Sequence, residues 1–82
     1  MPKYFMPTNI GLLLKELRAD KNISAYRLAK KFGLNRSVIH AIENMRTNPS
    51  LHTLIRLLDF FKYDLVIIER ESKTERKIKI LD

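Results

Sequence analysis

Through the first three-quarters of the chain the hydrophobic positions recur every three or four residues; beyond residue 62 they run together and then alternate. Ile10, Leu13, Leu14 and Leu17 form one stripe of a first helix, with Lys15, Glu16 and Arg18 largely off it. Thr8 or Asn9 can cap that helix, which should end near Asp20 or Lys21. Ser24 is suited to cap a second helix over 25–32 that turns Leu28, Ala29 and Phe32 inward. Gly33 tolerates the left-handed backbone that closes a helix. Asn35 then caps a third helix, from Arg36 to about Asn44, with Val38, Ile39 and Ile42 as its inward stripe. Asn48-Pro49-Ser50 is a break. Ser50 caps a fourth helix, from Leu51 to about Phe61, whose apolar positions are Leu51, Leu54, Ile55, Leu58 and Phe61.

Residues 63–70 are rich in β-branched side chains and read as a strand, and 72–75 resemble a turn. Residues 76–81 alternate charged and apolar side chains, as an edge strand closing a hairpin or as a basic tail. Leu65, Val66, Ile67 and Ile68 are apolar on both faces, which a lone exposed strand does not tolerate. A hairpin with Ile78 and Ile80 would cover one face, and pairing with the same strand of a second chain would also satisfy the edge. The intermolecular sheet is the favoured expectation. Phe60 and Phe61 are adjacent and so point to different helix faces, one inward and one, assigned to Phe61, toward a dimer contact.

At 82 residues the chain has room for one domain, and a domain of this size buries only about 60% of its unfolded surface. The absence of cysteine excludes a disulfide framework and thiolate metal sites, and fits a reducing cytoplasm. Apolar runs stop well short of the roughly 20 residues that span a bilayer, so no membrane partner is expected. Residues 1–7 carry no apolar stretch of signal-peptide length. Sixteen Lys and Arg against nine Asp and Glu give a formal charge of +7. That excess favours polyanions, because neutralising phosphates releases condensed counterions, although it also serves solubility.

Within Ser24 to Met45 two short helices meet at a glycine turn. Ala29 is small enough for close helix approach, and Leu34, Ile39 and Ile42 pin the third helix. Arg36, Ser37, His40 and Ala41 are left to face outward. A DNA major groove, about 12 Å wide, accepts one α-helix and displays a distinct donor–acceptor pattern for each base pair. The second helix of such a unit sets the angle of the third, whose first residues touch bases. An αα-hairpin of an ordinary bundle is the plain alternative; the spacing and the basic balance favour DNA.

Other chemistry finds little support. His40 and His52 are the only histidines, too few for a metal site without further ligands. Asp59, Asp64, Glu69 and Glu71 form no paired-carboxylate motif, and Gly11 and Gly33 make no phosphate loop. No enzyme activity, metal or cofactor is expected. Tyr4, Phe5, Phe60, Phe61 and Tyr63 suit packing better than base stacking, which disfavours a single-stranded RNA partner.

Residues from about 10 to 61 resemble the Xre/Cro-repressor family of helix-turn-helix proteins. The likeness rests on Ile23-Ser24, on 28–37 (LAKKFGLNRS), on Ile39, on Ile42-Glu43-Asn44 and on 48–54 (NPSLHTL). It implies a mainly α fold, a four- to five-helix repressor-type domain over 1–62, with a C-terminal strand or hairpin over 63–82 for dimerisation. It further implies a dimeric, sequence-specific regulator of transcription that binds double-stranded DNA in the cytoplasm. An antitoxin that neutralises a partner toxin and binds its own operator is the alternative. By this resemblance Arg36 and Ser37 begin the base-reading helix and Ala41 falls at another base-facing position. Asn44 and Arg46 match backbone-contacting positions, and Ser24, Tyr26, Arg27, Asn35 and Thr47 are expected beside them on phosphate. Arg18 and Glu43 match a salt bridge that ties the first helix to the third. Two positions depart from the pattern. Ala25 replaces a phosphate-touching glutamine, and Met45 replaces the glycine that ends the recognition helix, implying a longer helix or a strained left-handed residue.

Overall fold

The computed structural model describes residues 9–80 as four helices followed by a β-hairpin. Helix α1 (Ile10–Asp20) starts at Asn9, whose Oδ1 accepts the Leu12 amide at 2.7 Å. Helix α2 (Ala25–Lys31) starts at Ser24, whose hydroxyl oxygen accepts the Arg27 amide at 3.1 Å. Helix α3 (Arg36–Glu43) starts at Asn35, but the Asn35 side chain makes no capping bond. Its carbonyl accepts the Val38 amide at 3.0 Å instead. Helix α4 (Leu51–Phe60) starts at Ser50, which accepts the Thr53 amide at 3.1 Å and donates to the Thr53 hydroxyl at 3.0 Å.

All four helices stop in one way. Asn22, Gly33, Met45 and Lys62 each follow a helix C-cap with φ between 54° and 68°. The next residue in each case, Ile23, Leu34, Arg46 or Tyr63, donates its amide back to the carbonyl of Arg18, Ala29, Ala41 or Leu58 at 2.8–3.1 Å. This double-bonded left-handed stop satisfies two orphan carbonyls per helix. Met45 is thus left-handed, and α3 does not run longer.

The chain forms two compact units, one ending at Asn48 and the other beginning at Pro49. In the first, α3 packs on both α1 and α2. Leu14, Leu17, Ala25, Leu28, Ala29, Ile39 and Ile42 are its buried apolar side chains, while Phe32 and Val38, expected inside, are only half-buried. Gly11 explains how close α1 comes to α3: a Cβ there would stand 2.4 Å from the Ile42 carbonyl oxygen and 2.8 Å from that of Glu43.

In the second unit the buried residues are Leu57, Leu58 and Phe61, with Leu54 half-buried. Leu51, expected inward, is 59% exposed, and Leu57, left out of the expected stripe, is 1% exposed. Both 51-54-55-58 and 54-57-58-61 satisfy a 3.6-residue period, so spacing alone does not choose between them. Phe61 is 2% exposed and edge-on to Phe60, with centroids 5.1 Å apart. A side chain so enclosed offers no surface to a second chain, which removes Phe61 from the expected dimer contact.

Strands β1 (Leu65–Ile68) and β2 (Glu75–Ile78) pair antiparallel, Leu65 opposite Ile78 and Ile68 opposite Glu75. The C-terminal segment therefore forms a hairpin rather than a tail. Both strands are shorter than the alternation predicts, and Leu81 lies outside the described residues. Glu69 closes the turn: its amide donates to Thr74 at 3.0 Å, and its carbonyl accepts from Lys73 at 2.8 Å. The Glu69 carboxylate accepts from both the hydroxyl and the amide of Ser72, which hold its pKa below the ordinary glutamate value.

Candidate nucleic-acid interface

Helix α3 is eight residues long and, with side chains, about 10–12 Å across, close to the width of a major groove. Ile39 and Ile42 are buried, at 0% and 2% exposure, and fix which side turns out. Arg36, Ser37 and His40 share the exposed side, the i, i+1 and i+4 positions of one helix face. Ala41 is half-buried, so of the four outward residues expected it presents the least surface.

The ends of α3 carry further polar groups. Asn35 is exposed and its amide is not used as a cap. At the other end Asn44, Arg46 and Thr47 are all exposed. The Ala41 carbonyl accepts the amides of Arg46 at 2.8 Å and Thr47 at 3.4 Å, folding this segment back against the end of α3. At the start of α2, Ser24, Tyr26 and Arg27 are exposed, Tyr26 by 58%. The Ser24 oxygen already accepts the Arg27 amide, which leaves the Ser24 O–H proton to donate.

One ion pair braces this surface. Arg18 Nε and Nη2 donate to the two Glu43 carboxylate oxygens at 2.6 and 2.9 Å, and Arg18 Nη1 donates to the Ile23 carbonyl at 2.9 Å. The Glu43 side chain is 4% exposed and that of Arg18 is 17% exposed. The bond to Glu43 raises the Arg18 pKa against the opposing effect of burial. One guanidinium thereby joins α1, the segment leading to α2, and the last residue of α3. Glu43 is committed to this structural role.

Charge is distributed to match. Between Asp20 and Asp59 the only acidic residue is the paired Glu43, whereas Lys21, Arg27, Lys30, Lys31, Arg36, Arg46 and Arg56 fall in the same stretch. The basic excess of the whole chain is concentrated where the helix-turn-helix lies. Among the described residues no group of His, Asp or Glu is placed to hold a metal, and no helix is long and apolar enough to cross a membrane. His40 and His52 are both exposed. Sequence spacing passed over Gly11, although a glycine inside a helical stripe is the ordinary sign of close backbone approach.

Comparison with known proteins places this geometry. The family model described as helix-turn-helix matches residues 14–68. The ImmF control region 10 kDa protein of Bacillus phage phi105 is 33% identical over 60 residues, 73% of this chain and 67% of that one. Antitoxin HipB of Escherichia coli O6:H1 is 26% identical over 70 residues, 85% of this chain and 74% of its own length. A solved complex of HipB with an O2 20mer superposes with a TM-score of 0.64 at 24% identity, over 87% of this chain and 99% of that one. That likeness is one of fold.

Proposed function

The chain belongs to the helix-turn-helix family, and from that membership we propose that it is a sequence-specific, double-stranded DNA-binding regulator of transcription, a dimeric repressor or autoregulator of the cytoplasm. The observation that carries this reading is the exposed face of α3, where Arg36, Ser37 and His40 stand together on a helix braced by α1, α2 and the Arg18–Glu43 pair. Arg36 reads a guanine edge with its paired donors, Ser37 and His40 supply adaptable polar contacts, and the Ala41 methyl packs on a thymine methyl. Ser24, Tyr26, Arg27 and Asn35 on one side, and Asn44, Arg46 and Thr47 on the other, hold the flanking phosphates and set the register. The role is one of binding and needs no catalytic group or cofactor.

The dimer is formed through β1, where Val66 and Ile67 are 38% and 56% exposed. A two-fold dimer places two copies of α3 in successive major-groove faces, roughly 34 Å apart. Selection of bound duplexes from a random pool at fixed salt is expected to return a two-fold-symmetric consensus with that half-site spacing. Recovery of no enriched sequence would overturn the proposal. The similarity to antitoxin HipB favours a second role, neutralisation of a partner toxin by the same chain. Co-expression with the neighbouring reading frame is expected to yield a stable complex if that role is present; separate elution of the two proteins argues against it.

A further inference from the structure

The two edges of the hairpin differ in kind. β2 exposes Glu75, Arg76 and Lys77, charges that discourage further strand pairing, whereas β1 exposes Val66 and Ile67. The Glu69 amide bonds to Thr74, so in an antiparallel ladder the odd-numbered residues of β1 turn their backbone groups toward β2. The N–H and C=O of Val66 and Ile68 consequently point to the free edge, with those of Asp64 beyond them. These are a row of unpaired donors and acceptors beside exposed apolar side chains.

Resting on the dimeric reading above, we propose that a second copy of this chain pairs on that edge in one register, with Ile67 on the two-fold axis, giving a four-stranded sheet β2-β1-β1-β2. Symmetry narrows the choice. Directly opposed residues of an antiparallel pair share a face, and a two-fold axis normal to the sheet keeps each residue on its own face, so opposed residues differ by an even number. Centring on Val66 would set Asp64 against the apolar Ile68 of the partner subunit and Arg70 against the partner subunit's Lys62, a like-charge pair. Centring on Ile67 sets Val66 against Ile68 of the partner subunit and Asp64 against the partner subunit's Arg70.

Asp64 already meets Lys77 of its own hairpin at 3.2 Å, on the face that Lys77 shares with Val66. In the Ile67-centred register Asp64 is flanked by a cation on each side, Lys77 of its own chain and the partner subunit's Arg70, and the two-fold repeats the arrangement. The same register opposes Glu69 to Leu65, a mismatch eased because Ser72 holds the Glu69 carboxylate in its own turn. Charge therefore fixes the register that the uniform Leu-Val-Ile-Ile sequence leaves free.

The chain contains no cysteine, so single introduced thiols report the register unambiguously. In full-length protein under mild diamide oxidation, Ile67→Cys is expected to give a disulfide-linked dimer, since opposed residues of a non-hydrogen-bonded pair lie about 4.5 Å apart at Cα. Val66→Cys is expected to link far more slowly, its two copies being displaced along the strands. Asp64→Arg and Arg70→Asp should each raise the dimer Kd by roughly three- to tenfold, and the double variant should recover most of the loss. Faster linking through Val66→Cys, or a dimer in sedimentation that neither thiol links, overturns the register while leaving the dimer intact. A wild-type protein that sediments as a monomer at every concentration overturns the dimer and the register together.

Discussion

Arg36 opens α3 on an exposed position, with Asn35 before it extended and free of a capping duty, so its guanidinium is unencumbered for base recognition. Replacing it with alanine is expected to weaken specific DNA binding by about 1–3 kcal/mol and to relax preference at one base pair per half-site. Quantitative gel shifts on the selected duplex and its single-base variants measure both effects. Gly11 works in the opposite place, inside the protein. A methyl group there meets two backbone carbonyls of α3, and carbonyl oxygens held in a helix do not move aside as a side chain tip does. Gly11→Ala should therefore destabilise the fold by about 1–3 kcal/mol despite alanine's better helix propensity. A lowered urea midpoint with an unchanged m-value is the expected result. Leu57 and Leu51 are both leucines at helical spacing, and only packing shows that one is core and the other surface.

At the scale of elements, the starts of helices are readable from their caps and Gly33 marks one end, whereas the left-handed stops of the other three helices carry no such mark. Asn9, Ser24 and Ser50 cap as their chemistry predicts, because a short polar side chain acts on its own neighbours. The identical stops at Asn22, Met45 and Lys62 carry no glycine, since their left-handed backbone is imposed by the next residue, whose amide bonds back to the helix. Lys62 is exposed and ordinary in every other respect, so Lys62→Gly removes about 1 kcal/mol of left-handed strain against a somewhat smaller gain in unfolded-chain freedom. A Tm unchanged or raised by a few degrees in differential scanning calorimetry is expected, where an interior helical glycine would lower it. The hairpin turn has its own signature. Ser72 holds Glu69 at a lowered pKa, so the folded state gains stability above the unfolded-state value and loses it as pH falls through the lowered one. Ser72→Ala removes the hydroxyl bond but keeps the backbone amides, so it should raise the Glu69 carboxyl toward the ordinary glutamate value in an NMR titration and weaken that acid-side dependence.

For the whole molecule, the decisive property is where the charge lies. The stretch from Lys21 to Arg56 is almost free of uncompensated acid, and the backbone-contact residues proposed there stand at both ends of α3 and at the start of α2. Affinity should fall steeply with salt as condensed counterions are released. Arg46→Ala is expected to weaken binding to all duplexes alike and to reduce the slope of log K against log salt by about one per protomer. Arg36→Ala should instead act mainly on the selected sequence. Equal effects of the two variants on matched and random duplexes would count against the division between reader and clamp.

The charge, the helix-turn-helix spacing from Ser24 to Met45 and the outward placement of Arg36, Ser37 and His40 were all legible in the sequence. They are local or periodic properties, set by neighbours within one or two turns. Tertiary structure alone decided that Leu57 rather than Leu51 and Phe61 rather than Phe60 are core, that Met45 ends α3 in a left-handed turn, and that residues 75–78 return as a strand. Each of these turns on a competition between arrangements with nearly equal local merit, settled by which backbone or side chain stands opposite. The helix-turn-helix is thus written along the chain, and the depth and register of its packing are written only across it.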